Sequence, residues 1–590
     1  MTELIESVYL SIARISSESN GVEMNIGENI LLKALSKFSS LSVENLKKKM
    51  KEKGDISSVI TVKNRPKLFF IRKNQVLYLS EVFSCLKGLS EMTGKDSTAQ
   101  KVQKIAELLT RCTVDEEIKY IIRIIDGKMK IGLSTQSILC GLGISFKERF
   151  GLKNNEKAVI FDDKNGKIQT ENNLCNNQIE WTDDEIKIME DIKEAYAQLP
   201  SFEKIIKNVF SNGISSLSSD LITPGYPLRP MLAIPEKSPE TVSARFKSEY
   251  LVEYKYDGER VQAHYFNGKI ELFSRGLEST TERFNQLIEP LMKSNKSGES
   301  FIIDAEVVAY CRDTQKILSF QTLSNRKRKF TESNADKAES DIALFIFDIL
   351  YLGRPLNKMS IRERKKILNE SFTHIKGEIF IAESFMFSTN DLERLNKIFS
   401  DSLASGCEGI MVKSADETDS GYEPSKRSQK WVKLKSDYIT GLFETLDLLV
   451  IGGYTGKGKR TGVYGGFLLG CLNENGVVET ITKIGTGFSE SVLEDLSKEL
   501  KSCITTEAQT EISIQNAPDV WFKPVTVWEV GAAGFSVSSE YTAGMGAFDL
   551  PDGKGISLRF PRFIRQRDDK AVDSSTSSEQ ILHLFRTSQQ

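Results

Sequence analysis

Histidine is nearly missing from this 590-residue chain, with three in all, and its eight cysteines stand singly at Cys85, Cys112, Cys140, Cys175, Cys311, Cys407, Cys471 and Cys503 with no CxxC pair. A zinc cage draws its sulfur and nitrogen ligands from closely spaced pairs, so no structural zinc site is expected. Scattered thiols fit a reducing compartment rather than a disulfide framework. No apolar run approaches the roughly 18 residues of a membrane span. The opening MTELIESVYLSIARISSES has neither a basic segment with a long apolar run nor an Arg-rich, acid-poor character. A soluble protein with no membrane partner is expected. A surplus of charge is also lacking: 79 basic and 81 acidic residues leave a net charge of −2. Overall charge supplies no attraction to a polyanion, and any nucleic-acid contact must come from local basic patches.

What is present is an ordinary globular composition, 39% hydrophobic and 27% charged, on a chain too long for one core, so about three domains are expected. Up to residue 222 apolar residues recur at helical spacing, as in Val102, Ile105, Leu108, Leu109 and Cys112, or Ile118, Ile121, Ile122 and Ile125, and predict an all-α domain over 1–222. A polar stretch, KNNEKAVIFDDKNGKIQTENNLCNNQ, reads as a loop excursion or short hairpin within it. In TPGYPLRP, Pro224, Pro227 and Pro230 remove backbone donors and fix φ, so neither helix nor sheet crosses and a boundary belongs there. Beyond it the period becomes that of strands: EYLVEYKYD, RVQAHYFNGKIELFSR with Asn267-Gly268 as a type I′ turn, FIIDAEVVAY, IALFIFDILYL and GIMVK. This predicts an α+β domain over 223–437. The Gly-rich, strand-rich stretch that follows suggests a small β-barrel over 438–567, and the polar residues 568–590 read as a disordered tail.

In LVEYKYDGER, strand alternation places Glu253, Lys255 and Asp257 on one face and Tyr254 and Tyr256 on the other, which holds a lysine beside carboxylates. K-x-D-G is short and common, and its context decides its meaning. It resembles the nucleophile motif of the covalent nucleotidyltransferases: ATP-dependent DNA ligases, RNA ligases and RNA capping enzymes. ELFSRG, FIIDAEVVAY, LFIFDILYL, CEGIMVK and WVKLK follow in that superfamily's order, and SLRFPRFIRQRDDK is similar to the last motif of eukaryotic replicative-type DNA ligases. The resemblance covers roughly residues 90–570. It implies a helical DNA-binding domain, an adenylation domain with Lys255 as the residue that takes AMP from ATP, and an OB-fold barrel, in a monomer that encircles nicked duplex DNA.

The residues agree with such chemistry. A lysine nucleophile must be neutral, so the pocket has to depress its pKa by neighbouring positive charge or desolvation; Lys433, Lys435 and Mg²⁺ are the expected sources. Lys433 and Lys435 alternate along WVKLK and share a face, Val432 and Leu434 turning to the core, and a compact ammonium suits an α-phosphate oxygen. Glu306 and Glu408 stand on apolar strands where an unpaired carboxylate is costly. Hard oxygen donors indicate Mg²⁺, or Mn²⁺, with a salt bridge to Arg260, Arg275 or Lys413 as the alternative. Phe347 alternates with Phe345 in FIFDIL and offers a ring to a base. The resemblance makes Phe347 the adenine platform and Glu253 the acceptor for the adenine amino group, and it puts Arg260, Arg275, Lys413 and Arg427 among the nucleotide contacts.

In the barrel, Arg559, Arg562, Arg565 and Arg567 resemble residues that reach the β- and γ-phosphates when the barrel closes as a lid. Lys457, Lys459 and Arg460 in GGYTGKGKRTGVYGG suit either phosphate or a solvated turn. Lys128, Lys130 and Gly132 in GKMKIG, and Arg326, Lys327, Arg328 and Lys329 in NRKRKF, resemble ligase segments that grip the duplex backbone. NLKKKMKEK reads as a solvated helix face. Glu259 and Gly276 depart from the more familiar glutamine and asparagine. A capping guanylyltransferase, an NAD-dependent ligase and a non-catalytic DNA-binding scaffold stay open as rivals, although CxxC ligands are missing for the second. QILHLF lacks the paired aromatics of a sliding-clamp peptide. Nuclear placement is implied only by the eukaryotic-type last motif; a viral or archaeal setting would make it cytoplasmic.

Overall fold

The computed structural model describes residues 1–64, 76–94, 96–150, 181–246, 248–324, 341–387, 391–416, 420–435, 445–456, 458–510 and 517–589. The polar stretch after residue 152 and the basic cluster Arg326 to Lys329 lie outside these, as does the expected boundary near 437. Two units form, Met1–Leu41 with Ile60–Tyr438, and Ser42–Val59 with Ile439–Gln590.

The first unit begins with helices whose apolar stripes meet in one core, among them Thr2–Ser11, Thr135–Phe150, Asp183–Gln198 and Phe202–Asn212, through Val8, Leu139, Phe146, Ile192, Ile206 and Val209. Helix Asp115–Ile125 buries Ile118, Ile121, Ile122 and Ile125, as their spacing requires. The expected single body over 1–222 is interrupted, because Ser42–Val59 joins the C-terminal unit. Helix Val43–Lys53 buries only Leu46, too little apolar surface to hold it among the other helices, and Lys51 instead pairs with Asp519 at 2.6 Å.

No helix or strand runs through the proline-rich stretch. Side chains of the next sheet replace the missing ladder bonds: Gly225 N donates to His264 Nδ1 at 3.0 Å, and Gln262 bonds both Leu228 N and Leu228 O. Burial pulls His264 down to about 3, so it stays neutral and can accept.

Two sheets follow. The first holds β1 (Leu232–Glu236), β2 (Tyr250–Lys255), β10 (Ser384–Phe387), β11 (Gly409–Ser414) and β12 (Arg427–Lys435), in the order β1-β12-β11-β2-β10. The second is built on β3 (Glu259–Phe266), β4 (Lys269–Ser274), β5 (Phe301–Cys311) and β7 (Ile342–Leu352), with β8 (Arg354–Pro355), the short β6 (Lys316–Ile317) and β9 (Ile379–Ile381) attached. Strand β5 shows how one sequence serves two faces. Phe301, Ile303, Ala305, Val307 and Ala309 fill a core with Leu272, Phe284 and Leu368, which leaves Asp304 and Glu306 on the opposite face. The charges placed there are supported in depth: Arg364, fully buried, gives Nε and Nη2 to Asp348 at 2.8 and 3.0 Å and Nη1 to two carbonyls. With both oxygens of the carboxylate and all three guanidinium nitrogens engaged, losing one partner of such a buried pair costs about 3–5 kcal/mol.

The second unit is strand-rich, with the order β15 (Val478–Ile484), β14 (Tyr464–Leu472), β13 (Thr445–Thr455), β17 (Val520–Phe522), β16 (Ile504–Thr505). Strand β18 (Val527–Gly531) pairs with β13 and β21 (Arg562–Gln566), while β19 (Gly534–Ser538) and β20 (Gly555–Arg559) form a hairpin. The expectation of a disordered tail is overturned. Ser578–Gln589 is a helix whose Ile581 and Phe585 enter the same core as Trp528 and Phe467, and QILHLF is part of it. Ile581 and Phe585, four apart, with Leu582 and Leu584 packed beside them, carry a helix that the polar composition of the whole stretch reads as solvated. Ile581→Ala should therefore destabilise this unit by about 2–5 kcal/mol, read as a lower urea midpoint; an unchanged midpoint would mean the helix is not docked.

Candidate active site

The chain passes from β2 to β3 through Asp257 and Gly258, and a Cβ at Gly258 would stand 2.2 Å from the Val307 carbonyl oxygen. The glycine of K-x-D-G is thus the residue that lets the chain leaving β2 pass close against β5 just after Lys255. Between them lies a cavity of ≈ 460 Å³ lined by Glu253, Lys255, Arg260, Arg275, Glu306, Phe347, Glu408, Lys413, Arg427, Lys433 and Lys435, together with Met411 and Trp431. The lining carries seven basic side chains against the carboxylates of Glu253, Glu259, Glu306 and Glu408, a balance suited to a polyphosphate.

Register explains the convergence. Across β2, β11 and β12 the rows are Lys255, Gly409, Lys435; then Glu253, Met411, Lys433; then Leu251, Lys413, Trp431. Directly paired residues share a face, so both motif lysines of β12 lie on the side of Lys255 and Glu253. Gly409 has φ +145°, and a Cβ there would meet the Leu434 carbonyl oxygen at 2.2 Å; a side chain would separate the Lys255 row. At the other end of the cavity the Lys413 ammonium lies 4.4 Å from the Trp431 ring centroid and 5.0 Å from that of Phe347.

A bulge lies at Phe347. Glu306 pairs with Phe345 and Ala305 with Ile346, but Asp304 pairs with Asp348, which leaves Phe347 as the extra residue on β7. Phe345 and Phe347 still pack in one cluster with Tyr256 and Phe380, as residues two apart on a strand do. Phe345 stacks on Phe380 with centroids 4.7 Å apart, and Phe347 lines the cavity.

The surroundings of Lys255 correct the expectation that cations depress its pKa. Its nearest partner is Glu408 at 2.7 Å, whose same oxygen meets Lys435 at 2.7 Å. Burial lowers the amine, but Glu306, Glu408 and Asp257 outweigh it and hold the ammonium above its ordinary value. Sequence spacing showed the lysines of β12 and not that Glu408, whose N–H bonds the Lys255 carbonyl at 2.8 Å, would come between them. Burial also opposes the Glu408 charge, yet Lys255 and Lys435 keep its carboxyl well below the usual range. Burial pushes Glu306 up to about 7, with Lys255 and Arg260 opposing and Glu408 and Asp304 adding to it. The alternative salt bridges of Glu306 and Glu408 to Arg260, Arg275 or Lys413 do not form among the described residues; Lys413 pairs with Glu253 at 2.6 Å and Arg260 with Asp304.

Arg260 is a strut. Its Nε and Nη2 donate to Asp304 at 2.9 and 2.6 Å, its Nη1 to the Met231 carbonyl at 2.8 Å, and its guanidinium lies 5.4 Å from the Phe347 ring centroid. Tyr422 completes the network, donating to Asp304 at 2.8 Å and accepting from Met231 N at 2.9 Å. Sequence reasoning missed Asp304, Tyr422, Trp431, Met411 and Lys365; Trp431 and Met411 were legible, lying two residues from Lys433 and Lys413 on the same strand faces.

Family profiles match the chain in three consecutive stretches, described as DNA ligase N terminus over residues 2–143, ATP dependent DNA ligase domain over 230–435 and ATP dependent DNA ligase C terminal region over 460–570. Over 593 residues it is 39% identical to DNA ligase 1 of Saccharomyces cerevisiae, covering 99% of this chain and 74% of that one. The chain belongs to the ATP-dependent DNA ligase family. DNA ligase 1 of Schizosaccharomyces pombe is 37% identical over 600 residues, with 99% and 74% coverage. DNA ligase 1 of the archaeal-type Methanosarcina barkeri is 32% identical over 592 residues, with 99% and 98% coverage.

Within this family member the remaining site residues are placed elsewhere. Arg562 is exposed and Arg565 pairs with Glu529 at 2.7 Å; both are on β21 of the second unit and neither is among the cavity-lining residues. Lys128, Lys130 and Gly132 are exposed in the turn between helices Asp115–Ile125 and Thr135–Phe150, with Lys130 at φ 53° and Gly132 at φ 76°. The departure at Glu259 is accommodated by a bidentate pair with Arg283, at 2.5 and 2.6 Å. No helix among the described residues is long and apolar enough to cross a membrane.

Glu306 gives a pH test. A carboxyl raised in the folded state contributes stability that is present below its unfolded value and lost as pH rises through about 7. Without divalent metal, Glu306→Gln should leave stability unchanged near pH 4, below the unfolded value, and raise it at pH 8 by on the order of 2 kcal/mol, measured by chemical denaturation. A variant less stable at pH 8 would show that the charge is well accommodated.

Proposed function

We propose that this family member seals 5′-phosphate/3′-hydroxyl nicks in duplex DNA through a lysyl-AMP on Lys255. The observation that carries the reading is the cavity in which one lysine meets Glu408 beneath an aromatic wall and a surplus of cations. Lys255 displaces pyrophosphate from ATP and holds AMP as a phosphoramidate. The 5′-phosphate of the nick then takes AMP from the lysine, and the 3′-hydroxyl expels AMP to close the strand. Catalysis of these in-line steps rests on positioning and charge neutralisation.

The residues divide the work by their chemistry. Phe347 offers a ring face to adenine, and Glu253 an acceptor to its amino group. Lys413, Lys433 and Lys435 act as point charges for the nucleotide and its α-phosphate. Arg275 and Arg427, exposed at the cavity edge, suit the outer phosphates or the 5′-phosphate of DNA. Arg260 positions the Phe347 wall. No cluster of three or more His, Cys, Asp or Glu able to hold a metal occurs among the described residues. A carboxylate pair still fits Mg²⁺ or Mn²⁺, which completes its shell with water and phosphate, and Glu306 makes no ion pair or side-chain hydrogen bond among the described residues. Glu306 and Glu408 are the residues that would hold the ion, whose charge when bound offsets the carboxylates that keep Lys255 protonated.

The three regions matched by the profiles suit a helical DNA-binding domain to about residue 222, an adenylation domain to about 437 and an OB-fold domain beyond it, whose Arg562 and Arg565 serve the triphosphate when that domain closes. Backbone contact through Lys128, Lys130 and the Gly132 turn would be independent of base sequence and would weaken steeply with salt. Relatives in both eukaryotes and an archaeon leave nuclear placement a matter of the cell concerned.

The test incubates the protein with labelled ATP, GTP or NAD and Mg²⁺, followed by nicked duplex. Covalent label from ATP and nick closure are expected. Label from GTP alone would indicate capping, label from NAD the other ligase class, and none a scaffold. Lys255→Ala should lose all covalent label while nick binding stays within about twofold by gel shift; retained adenylylation would place the nucleophile elsewhere.

A further inference from the structure

We infer that Lys365, on helix Ile361–Ser371, is a positioning residue that locks the Glu253 carboxylate as a pure hydrogen-bond acceptor and so sets the preference for adenine over guanine. The inference rests on Glu253 reading the base, as proposed above. Glu253 is 2% exposed and its two oxygens are held from opposite sides. Oε1 meets the Lys365 ammonium and accepts from Ser384 Oγ at 2.8 Å; Oε2 meets the Lys413 ammonium at 2.6 Å. Lys365 and Ser384 line a second cavity, of ≈ 930 Å³, which does not include Glu253, whereas Lys413 and Glu253 line the nucleotide cavity. Oε1 is thus tied back and Oε2 turned to the nucleotide. An ionised carboxylate has about four acceptor positions. Three are taken, and the one left over belongs to Oε2.

The protonation state of that oxygen decides which purine it accepts. As a carboxylate it receives an N–H from a 6-amino group and repels a 6-oxo group; as a carboxylic acid it could donate to the 6-oxo group. Burial by itself would raise the Glu253 carboxyl, but the Lys365 and Lys413 charges outweigh it and hold it below its ordinary value. The two ends of the Lys365 pair are not equally supported: burial, with the Lys413 charge adding to it, pulls the lysine below its ordinary value against Glu253 and Asp348. Lys413 also faces the Phe347 and Trp431 rings. Without Lys365, one lysine would have to hold a fully buried charge, and Oε1 would keep only the serine.

The test measures lysyl-nucleotide formation against ATP and GTP concentration in the full-length protein and in variants. Lys365→Met should raise KM for ATP by about tenfold and cut the ATP-over-GTP ratio of kcat/KM by about tenfold or more, with kcat for ATP within about threefold. Lys365→Arg should restore the ratio, which a purely structural ion pair would not require, and Ser384→Ala should move it the same way by less. An unchanged ratio in folded Lys365→Met overturns the inference; should that variant not fold, Lys365→Gln carries the same test. Glu253→Gln, measured in parallel, separates the two readings. If it leaves the ratio intact, the base reading of Glu253 falls and this inference with it. If it abolishes the ratio while Lys365→Met does not, this inference alone fails.

Discussion

The site depends on ionised groups being one another's partners in a cleft that water only partly reaches. Glu408 is the hinge of this arrangement, since a single oxygen meets both Lys255 and Lys435. An amine so held keeps its proton, which makes the resting site inert toward phosphorus. On the function proposed above, nucleotide and cation would engage Lys435 and the carboxylates and so change the partner list of Lys255, which would make reactivity conditional on a loaded pocket. A lysine depressed by burial alone would lack that condition.

Charges in such a cleft must be fixed from beneath, and the second sheet does this. Asp304 receives two guanidinium bonds and a tyrosine hydroxyl, and Asp348 receives Arg364. Partners come from β3, β5, β7, the helix at 361–371 and the loop at Tyr422, so the floor joins segments far apart in sequence. Buried pairs of this kind contribute little net stability against apolar replacements and are costly to break singly. Their use here is geometric: Arg260 stands behind Phe347, and Tyr422 bonds Met231 just ahead of β1.

Much of the fold was legible. Helical spacing in the first 222 residues, the proline break and the alternation from β2 to β12 reflect local rules, and local rules can be read along a chain. The Asn267-Gly268 turn takes φ of 49° and 75°, as its dipeptide requires. The failures have a common cause. Helix Val43–Lys53 and the helix at 578–589 were misplaced or missed because their attachment rests on a few residues whose partners lie well outside the local window, such as Asp519 for Lys51 and Trp528 in the core entered by Ile581.

By itself the sequence determined the strands, the face on which each motif lysine and carboxylate stands, and the family to which the chain belongs, since side-chain alternation and motif order are properties of the covalent chain. The tertiary structure decided which charges meet. That Lys255 faces Glu408, that β7 bulges at Phe347, and that Lys365 reaches Glu253 from a helix beyond β7 all follow from strand register and helix packing. Electrostatic interaction falls off with distance through space, and distance through space is what linear order leaves open.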